Sequence, residues 1–362
     1  RFVDGLAFHP GEDVIFRDPA TGDPFANVYR ARHPEPLEPT PAELARIDWL
    51  FSRIDDTEFR EYLRLCFAHV VQRPGVKIKS APLSWAETTG NGKTTLLRMV
   101  PSLLVGAQYS REVTASLLAS DFNDYLLNAW HVNLTEFRAG TRGERLAVSS
   151  KLKAWITDES IALHPKGQTA YTMPNHFFVT ATSNEDDAAA VDNNDRRWAI
   201  HEMHARQFTE SEQRYLYHEF LLTPRAAGVL RHYFLGLDIS SFNPSAKAIE
   251  TEARADMVQA SLGFDLEMLE TAFEQRTPPL DRDVVLTTEV MAWVHKHTPS
   301  RPTVHRIGKM LTRAPFHGKA FQFRSGEGRF RGVILRNHAQ WEASSGRRIM
   351  AHINGEDVDI LA

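Results

Sequence analysis

The sequence predicts an α/β fold. A three-layer core on a mainly parallel sheet is expected, with an N-terminal helical region before it and a C-terminal helical and winged-helix region after it. Three observations carry this. Between residues 76 and 207, β-rich runs alternate with helical runs, the pattern of strands joined by crossover helices. A glycine-containing loop in the stretch ETTGNGKTTLL (87–97) separates the first strand from its helix. The flanks differ in kind: turn-rich before residue 40, helical from 41 to 73 and from 209 to 273, and basic toward the end.

Taken in order, FHPGEDVIFRDPATGDPFANVY reads as short strands and turns, and HPEPLEPTP (33–41) as a linker supplying Thr40 as a helix N-cap. Residues 41–73 give two amphipathic helices, the second from Thr57 to Gln72, stopped by RPG. KSAPLSWA is a strand, KTTLLRMVPSLLVG a helix, AWHVNLTEF a strand, RGERLAVSSKLKAWIT a helix, and HFFVTATSN and RRWAIHEM two further strands. TEVMAWVHKH and RPTVHRIGKML are short helices, and AFQFRSGEGRFRGVIL is a hairpin. The expected divisions are 1–75, a strand and turn segment with a helical collar; 76–207, the α/β core; 208–275, helical; and 276–362, basic and winged-helix-like.

Composition excludes several classes. The chain has 362 residues, enough for two or three domains, and is 42% hydrophobic and 24% charged. No apolar run approaches the ~18 residues of a membrane span. No secretory signal is visible, and a start at Arg1 rather than Met suggests a piece of a longer protein. The single cysteine, Cys66, lies in the apolar stripe of a helix, fits a reducing compartment, and has no partner for an internal disulfide. The histidines, HEMH at 201–204 included, show no zinc spacing, and no G-x-S-x-G elbow is present. The net charge of −4 does not advertise a nucleic-acid binder, yet residues 295–348 hold twelve Lys/Arg against two acids.

The 87–97 stretch ends like the phosphate-binding pattern G-x-x-x-x-G-K-[ST], with Glu87 where the first glycine belongs. Thr89, Gly90, Asn91, Gly92, Lys93, Thr94 and Thr95 are the candidates for cradling a triphosphate. Small residues let backbone N–H groups curl around an anion, Lys93 reaches the outer phosphates, and the Thr94 hydroxyl suits Mg²⁺. A carboxylate at a neighbouring strand end completes such a site. Glu136, closing WHVNLTE, is preferred over Asp158–Glu159, whose upstream run is helical. Asn184 at the end of HFFVTATSN is placed to orient a water on the terminal phosphate, and Arg196 and Arg197 to offer a guanidinium to a neighbour's phosphates.

In this order the phosphate loop, strand–Glu, SSKLKAWIT, Lys–Gly turn, strand–Ser–Asn and DRRW resemble superfamily 3 helicases, the phage and plasmid primase-helicase branch above all, over roughly residues 40–205. The resemblance implies an AAA+ ATPase core, ATP and Mg²⁺ as cofactors, a hexameric ring on single-stranded and forked DNA, and 3′-to-5′ unwinding in replication. It also implies a primase domain preceding this chain and a phage or plasmid gene in a bacterial cytoplasm. It makes 161–176 a pore hairpin in which Lys166 and His164 hold DNA. Glu87 and Thr135 depart from the family pattern. In the basic tail, Arg301, Arg306, Lys309 and Arg313 share one helix face and Arg324, Arg329 and Arg331 follow on the hairpin, the outline of a DNA-binding winged helix. Two other readings stay open: a non-unwinding AAA+ initiator or loader, and a DNA-binding module whose phosphate loop is vestigial.

Overall fold

The computed structural model describes residues 3–18, 21–30, 35–136, 142–185, 188, 195–298, 302–313, 315–326 and 328–356; the side chains of 142–147, 149, 258–264, 305 and 306 lie outside the description. Three short strands come first, β1 (Gly5–Ala7), β2 (Ile15–Arg17) and β3 (Pro24–Asn27), then α1 (Pro41–Ser52) and α2 (Thr57–Gln72). The core follows: β4 (Ala81–Trp85), a π turn (Thr95–Met99) running into α3 (Val100–Val105), β5 (Ser110–Val113), α4 (Ala115–Ala119), β6 (His131–Leu134) and α5 (Arg142–Thr157). A hairpin of β7 (Ser160–Leu163) and β8 (Tyr171–Pro174) precedes β9 (Phe178–Ser183) and β10 (Trp198–Glu202). Next are α6 (Glu210–Gln213) with a π-helical continuation (Arg214–Leu221), α7 (Ala226–Leu235) and α8 (Glu252–Glu274). The chain closes with β11 (Val284–Leu286), α9 (Thr287–His297), α10 (Val304–Leu311), β12 (Lys319–Ser325), β13 (Gly328–Ile334), α11 (His338–Glu342) and α12 (Gly346–Asn354). It forms two compact units, one mainly of residues 1–257 and one mainly of 258–362. Among the described residues no helix is long and apolar enough to cross a membrane.

The larger unit is built on a five-stranded sheet in the order β10-β4-β9-β6-β5, parallel at every pairing. The inner strands β4, β6 and β9 are buried along their whole length. That is the burial expected of parallel strands covered on both faces, and it explains why they read as continuous runs rather than alternating ones. The edge strand β5, SREV, is mostly half-buried or exposed and carries two charges, so its sequence does not announce a strand. Helices α1, α2, α3 and α7 share one core through Ile47, Phe51, Phe67, Leu104 and Phe234. The start of α1 is fixed by a capping box in which Thr40 and Glu43 exchange bonds, and Arg225 adds an ion pair to Glu43 at 2.9 Å. Helix α2 begins at the Asp56 cap. Cys66 is fully buried in α2, and burial pushes its thiol pKa well up, so it packs as a small apolar group.

The helix after the glycine loop is not regular. Pro101 has no N–H to give the Leu97 carbonyl four residues back. The preceding turn widens, with the Val100 N–H reaching Thr95 O, and Leu97 O instead accepts from Thr180 Oγ1 at 2.6 Å and Asn133 Nδ2 at 3.3 Å. A proline in the sequence thus becomes a buried cross-link between helix and sheet.

The smaller unit is centred on an antiparallel sheet, β11-β13-β12, in which Gln322 lies opposite Arg331 and Arg324 opposite Arg329. Successive residues of its strands feed two cores. Val285 and Val333 pack with Val290, Val294, Ile307 and Leu311 of α9 and α10, while Val284 and Ile334 pack with Trp341 and Ile349 of α11 and α12. The expected helix, helix and hairpin are present. The short strand β11 and the two terminal helices were not anticipated.

Candidate functional site

A cleft of about 220 Å³ opens at the carboxyl ends of β4, β6 and β9, where parallel sheets commonly take ligands. The glycine loop forms one wall. The turn after β6 contributes Thr135 and Glu136, and the end of β9 contributes Thr182, Ser183 and Asn184. The sequence candidates Thr89, Gly90, Asn91, Gly92, Lys93, Thr94, Thr95, Glu136 and Asn184 therefore line one space, with Tyr217 from the π helix beside them.

The loop's shape explains its letters. Its two glycines take positive φ, 70° at Gly90 and 108° at Gly92, whereas Glu87 is not among the described positive-φ residues. A carboxylate side chain at 87 therefore violates no backbone requirement; Glu87 is exposed and does not line the cleft. A Cβ on Gly90 would meet Gln207 Cγ at 2.9 Å, and one on Gly92 would meet Phe208 at 3.1 Å. The loop is clamped from behind. Phe208 N donates to Gly90 O at 2.9 Å, and Arg53, at the end of α1, donates to Asn91 O at 2.9 Å and to Arg206 O while stacking over Phe208. Asn91 is fully buried and turns its side chain toward Met203 O.

Lys93 is buried, and its amine donates to Thr88 O at 3.0 Å, across its own loop. Burial lowers its pKa, because the charged amine loses water there; an anion beside it would restore the charged form. Glu136 is exposed and sits at φ 50°, a left-handed conformation that costs a non-glycine residue roughly 1 kcal/mol or more and is retained where a side chain must be aimed.

Beneath the cleft a buried network fixes proton directions. The Thr180 hydroxyl gives its hydrogen to Leu97 O, so its oxygen accepts from Asn133 Nδ2 at 2.8 Å and from His131 Nε2 at 2.9 Å. His131 therefore carries its proton on Nε2, and Nδ1 accepts from Ser110 Oγ at 2.8 Å. Burial pulls the pKa of this imidazole down to about 3, so it is neutral. At the cleft end, Thr135 Oγ1 donates to Asn133 Oδ1 at 2.9 Å, which turns its lone pairs, not its proton, toward the cleft.

Other sequence candidates lie elsewhere. Arg197 pairs with Asp195 at 3.3 Å and Arg196 is exposed; both precede β10, at the amino end of a parallel strand, and neither lines the cleft of its own chain. Both lie before the first residue of β10. Glu159 pairs with Lys79 at 2.9 Å, and neither it nor Asp158 lines the cleft. Lys166 is exposed at the tip of the β7–β8 hairpin, beside Gly167 at φ 76°, whereas His164 is half-buried against the Phe122 ring at 5.0 Å. In the smaller unit, Lys309 and Arg331 line a groove of about 350 Å³ with Thr312 and Gln322, and Arg313 is exposed. Arg301 and the side chain of Arg306 lie outside the described residues. Sequence reasoning did not include Tyr217, Arg53 or Phe208, which come from segments far along the chain. Thr135 stood out only as a departure from a pattern.

A family described as of unknown function, DUF5906, matches residues 86–197. A DNA primase-polymerase of Nitratiruptor phage NrS-1 is 32% identical over 111 residues, which is 31% of this chain and 15% of that protein. Among solved structures, the apo structure of the NrS-1 C terminal region (305-718) aligns with a TM-score of 0.59 at 18% identity, covering 91% of this chain and 84% of that one. The A form apo structure of the same region gives 0.57 at 17% identity with the same coverage. At such identity these two show a shared fold and nothing more. The findings correct the earlier expectation. The relative they name is a phage DNA primase-polymerase and none is a superfamily 3 helicase, so the helicase motor, the AAA+ initiator or loader, the DNA-binding module with a vestigial loop, and the hexameric ring with its ATP-driven unwinding all give way.

Proposed function

We propose that this chain is the nucleoside-triphosphate-binding part of an enzyme of DNA synthesis, related to the phage primase-polymerase it partly matches. One observation carries the reading: a buried lysine, a helix-starting threonine, a carboxylate and a strand-end amide line a single cleft at the carboxyl edge of a parallel sheet. Backbone N–H groups at a helix start and a desolvated amine suit the phosphates. The donor set fits Mg²⁺. The Thr94 hydroxyl, the Glu136 carboxylate and the outward lone pairs of Thr135 are hard oxygen donors. Among the described residues no cluster of three or more His, Cys, Asp or Glu forms a protein cage. Mg²⁺ is commonly held by one or two protein oxygens together with substrate phosphates. When bound, it would neutralise charge on the phosphates; Lys93 would hold their outer oxygens and Asn184 would orient the group facing them. Lys166 and His164 on the hairpin, and Arg306, Lys309 and Arg313 with Arg331 in the smaller unit, are the groups proposed to hold DNA.

The test is direct binding of a fluorescent nucleoside triphosphate with and without Mg²⁺. Lys93→Ala is expected to weaken binding at least tenfold. Glu136→Gln is expected to keep metal-free binding and lose the gain that Mg²⁺ brings. Equal affinity in wild type and Lys93→Ala would remove the assignment. For DNA, neutralising Lys309 and Arg331 together is expected to lower affinity and flatten its salt dependence, since fewer counterions are released.

A further inference from the structure

Beside the cleft lies a second, larger depression of about 650 Å³ between the helix after the loop and the edge strand β5. The two are neighbours with a shared boundary: Thr94, Thr95 and Tyr217 line both. We infer that this groove holds the sugar and base of the nucleoside triphosphate whose phosphates lie in the loop; the inference rests on the reading above and deepens it.

Size is the first reason. The loop cleft, at about 220 Å³, falls below the ~300–1,000 Å³ usual for a pocket that encloses a small organic ligand, and the groove at about 650 Å³ falls within it. The loop has room for phosphates and the groove for what is attached to them. Position is the second. Thr95 follows the lysine and threonine of the loop and stands at the junction, with its hydroxyl bonded to the Tyr217 hydroxyl, so a ligand leaving the loop along the helix enters the groove past this pair.

Chemistry is the third. The helix side is apolar at Met99 and Leu103 and suits the face of a base. The Arg98–Glu112 ion pair, at 2.8 Å and with side chains 47% and 39% exposed, joins that helix to β5 beside it. A pair so exposed adds little to stability and is free to turn toward sugar hydroxyls or base edges. Arg111, in contrast, donates to the carbonyls of Gln108, Ser110, Tyr125 and Leu127, and so acts as a strut. With Arg98 balanced by Glu112 and Arg111 committed, the groove offers no run of free positive charge, which argues for a nucleoside rather than a nucleic-acid backbone.

The experiment compares a nucleoside triphosphate with inorganic tripolyphosphate, in wild type, Ser102→Trp, Ala107→Trp and Lys93→Ala. Ser102 and Ala107 line the groove and not the loop cleft, so an indole there fills the space while leaving the phosphate contacts alone. The expected result is a loss of at least tenfold in nucleoside triphosphate affinity in both tryptophan variants with tripolyphosphate binding unchanged, which also shows that they are folded. Nucleoside triphosphate affinity within twofold of wild type in both variants overturns the inference. So does a wild type that binds tripolyphosphate as tightly as the nucleoside triphosphate. If Lys93→Ala binds tripolyphosphate as wild type does, the phosphate-loop reading itself is at fault, and the groove assignment goes with it.

Discussion

Thr180→Val tests the buried network under the cleft. The substitution keeps the shape of the side chain and removes a hydroxyl that donates to Leu97 O at 2.6 Å and accepts from Asn133 and His131. Asn133 keeps its 3.3 Å bond to Leu97 O, but the Nε2–H of the fully buried His131 is left without an acceptor. An unsatisfied buried donor costs ~1–3 kcal/mol and a lost hydrogen bond about 1 kcal/mol more, so a destabilisation of about 3 kcal/mol is expected. Thr180→Ser, which keeps the hydroxyl and loses one methyl, should cost only about 1 kcal/mol. The assay is urea unfolding fitted for the larger unit, where 3 kcal/mol lowers the midpoint by about 1 M or more. Pro101→Ala returns an N–H near Leu97 O and should soften the valine loss by about 1 kcal/mol in a double-mutant cycle. If Val costs no more than Ser at position 180, the hydroxyl is not the keystone proposed.

Four further outcomes are expected. Burial holds the pKa of His131 near 3 and that of His176 near 4, below the usual 6.5, so the folded chain binds fewer protons than the unfolded one as pH falls through 6.5. The larger unit should lose stability on acidification below pH 6.5, at up to about 1.4 kcal/mol per pH unit for each group, and His131→Gln should shallow that slope by about one group's share. Burial also brings Lys77 down to about 7, although its amine donates to Trp155 O, Asn175 Oδ1 and Phe177 O. Its unfolded form stays protonated to higher pH, so wild type should gain stability relative to Lys77→Met between pH 7 and 10; parallel pH profiles would contradict this. Glu136→Gly should be more stable than Glu136→Ala by about 1 kcal/mol in thermal unfolding, because only glycine relaxes at φ 50°, and the opposite order would count against that backbone.

Legibility in the sequence followed locality. The span of α2, from Thr57 to Gln72, was read to the residue because its periodicity and its stop lie within a few positions of one another. The same holds for α5, Arg142–Thr157. Strand β5 was missed because an edge strand need not be apolar, and β11 because three residues carry no periodicity, whereas the β7–β8 hairpin was expected at 161–176 from the resemblance and not from periodicity. In the cleft, strand ends were readable: Glu136 and Asn184 each close a buried run. The clamp of Arg53 and Phe208 on the loop was not, since it joins segments that meet only through folding. Nor was the Leu97 carbonyl, whose partners lie on the strands β6 and β9. The short motifs that suggested a helicase are consistent with a phosphate-binding cleft, and a cleft of that kind does not by itself specify what the phosphates are used for.

The clamp bears on how this architecture can be inherited. The stretch matching the family, 86–197, holds Lys93, Glu136 and Asn184. It omits Arg53 and Phe208, which grip the loop, the strands β10 and β4, which form one edge of the sheet and its neighbour, and the helices α1, α2 and α7 that cover one face. A recombination event that moved only the matched stretch into another gene would deliver these cleft-lining side chains without the frame that aims them. The frame that shapes the cleft is instead spread through the larger unit, so the matched stretch is shorter than the scaffold its side chains depend on.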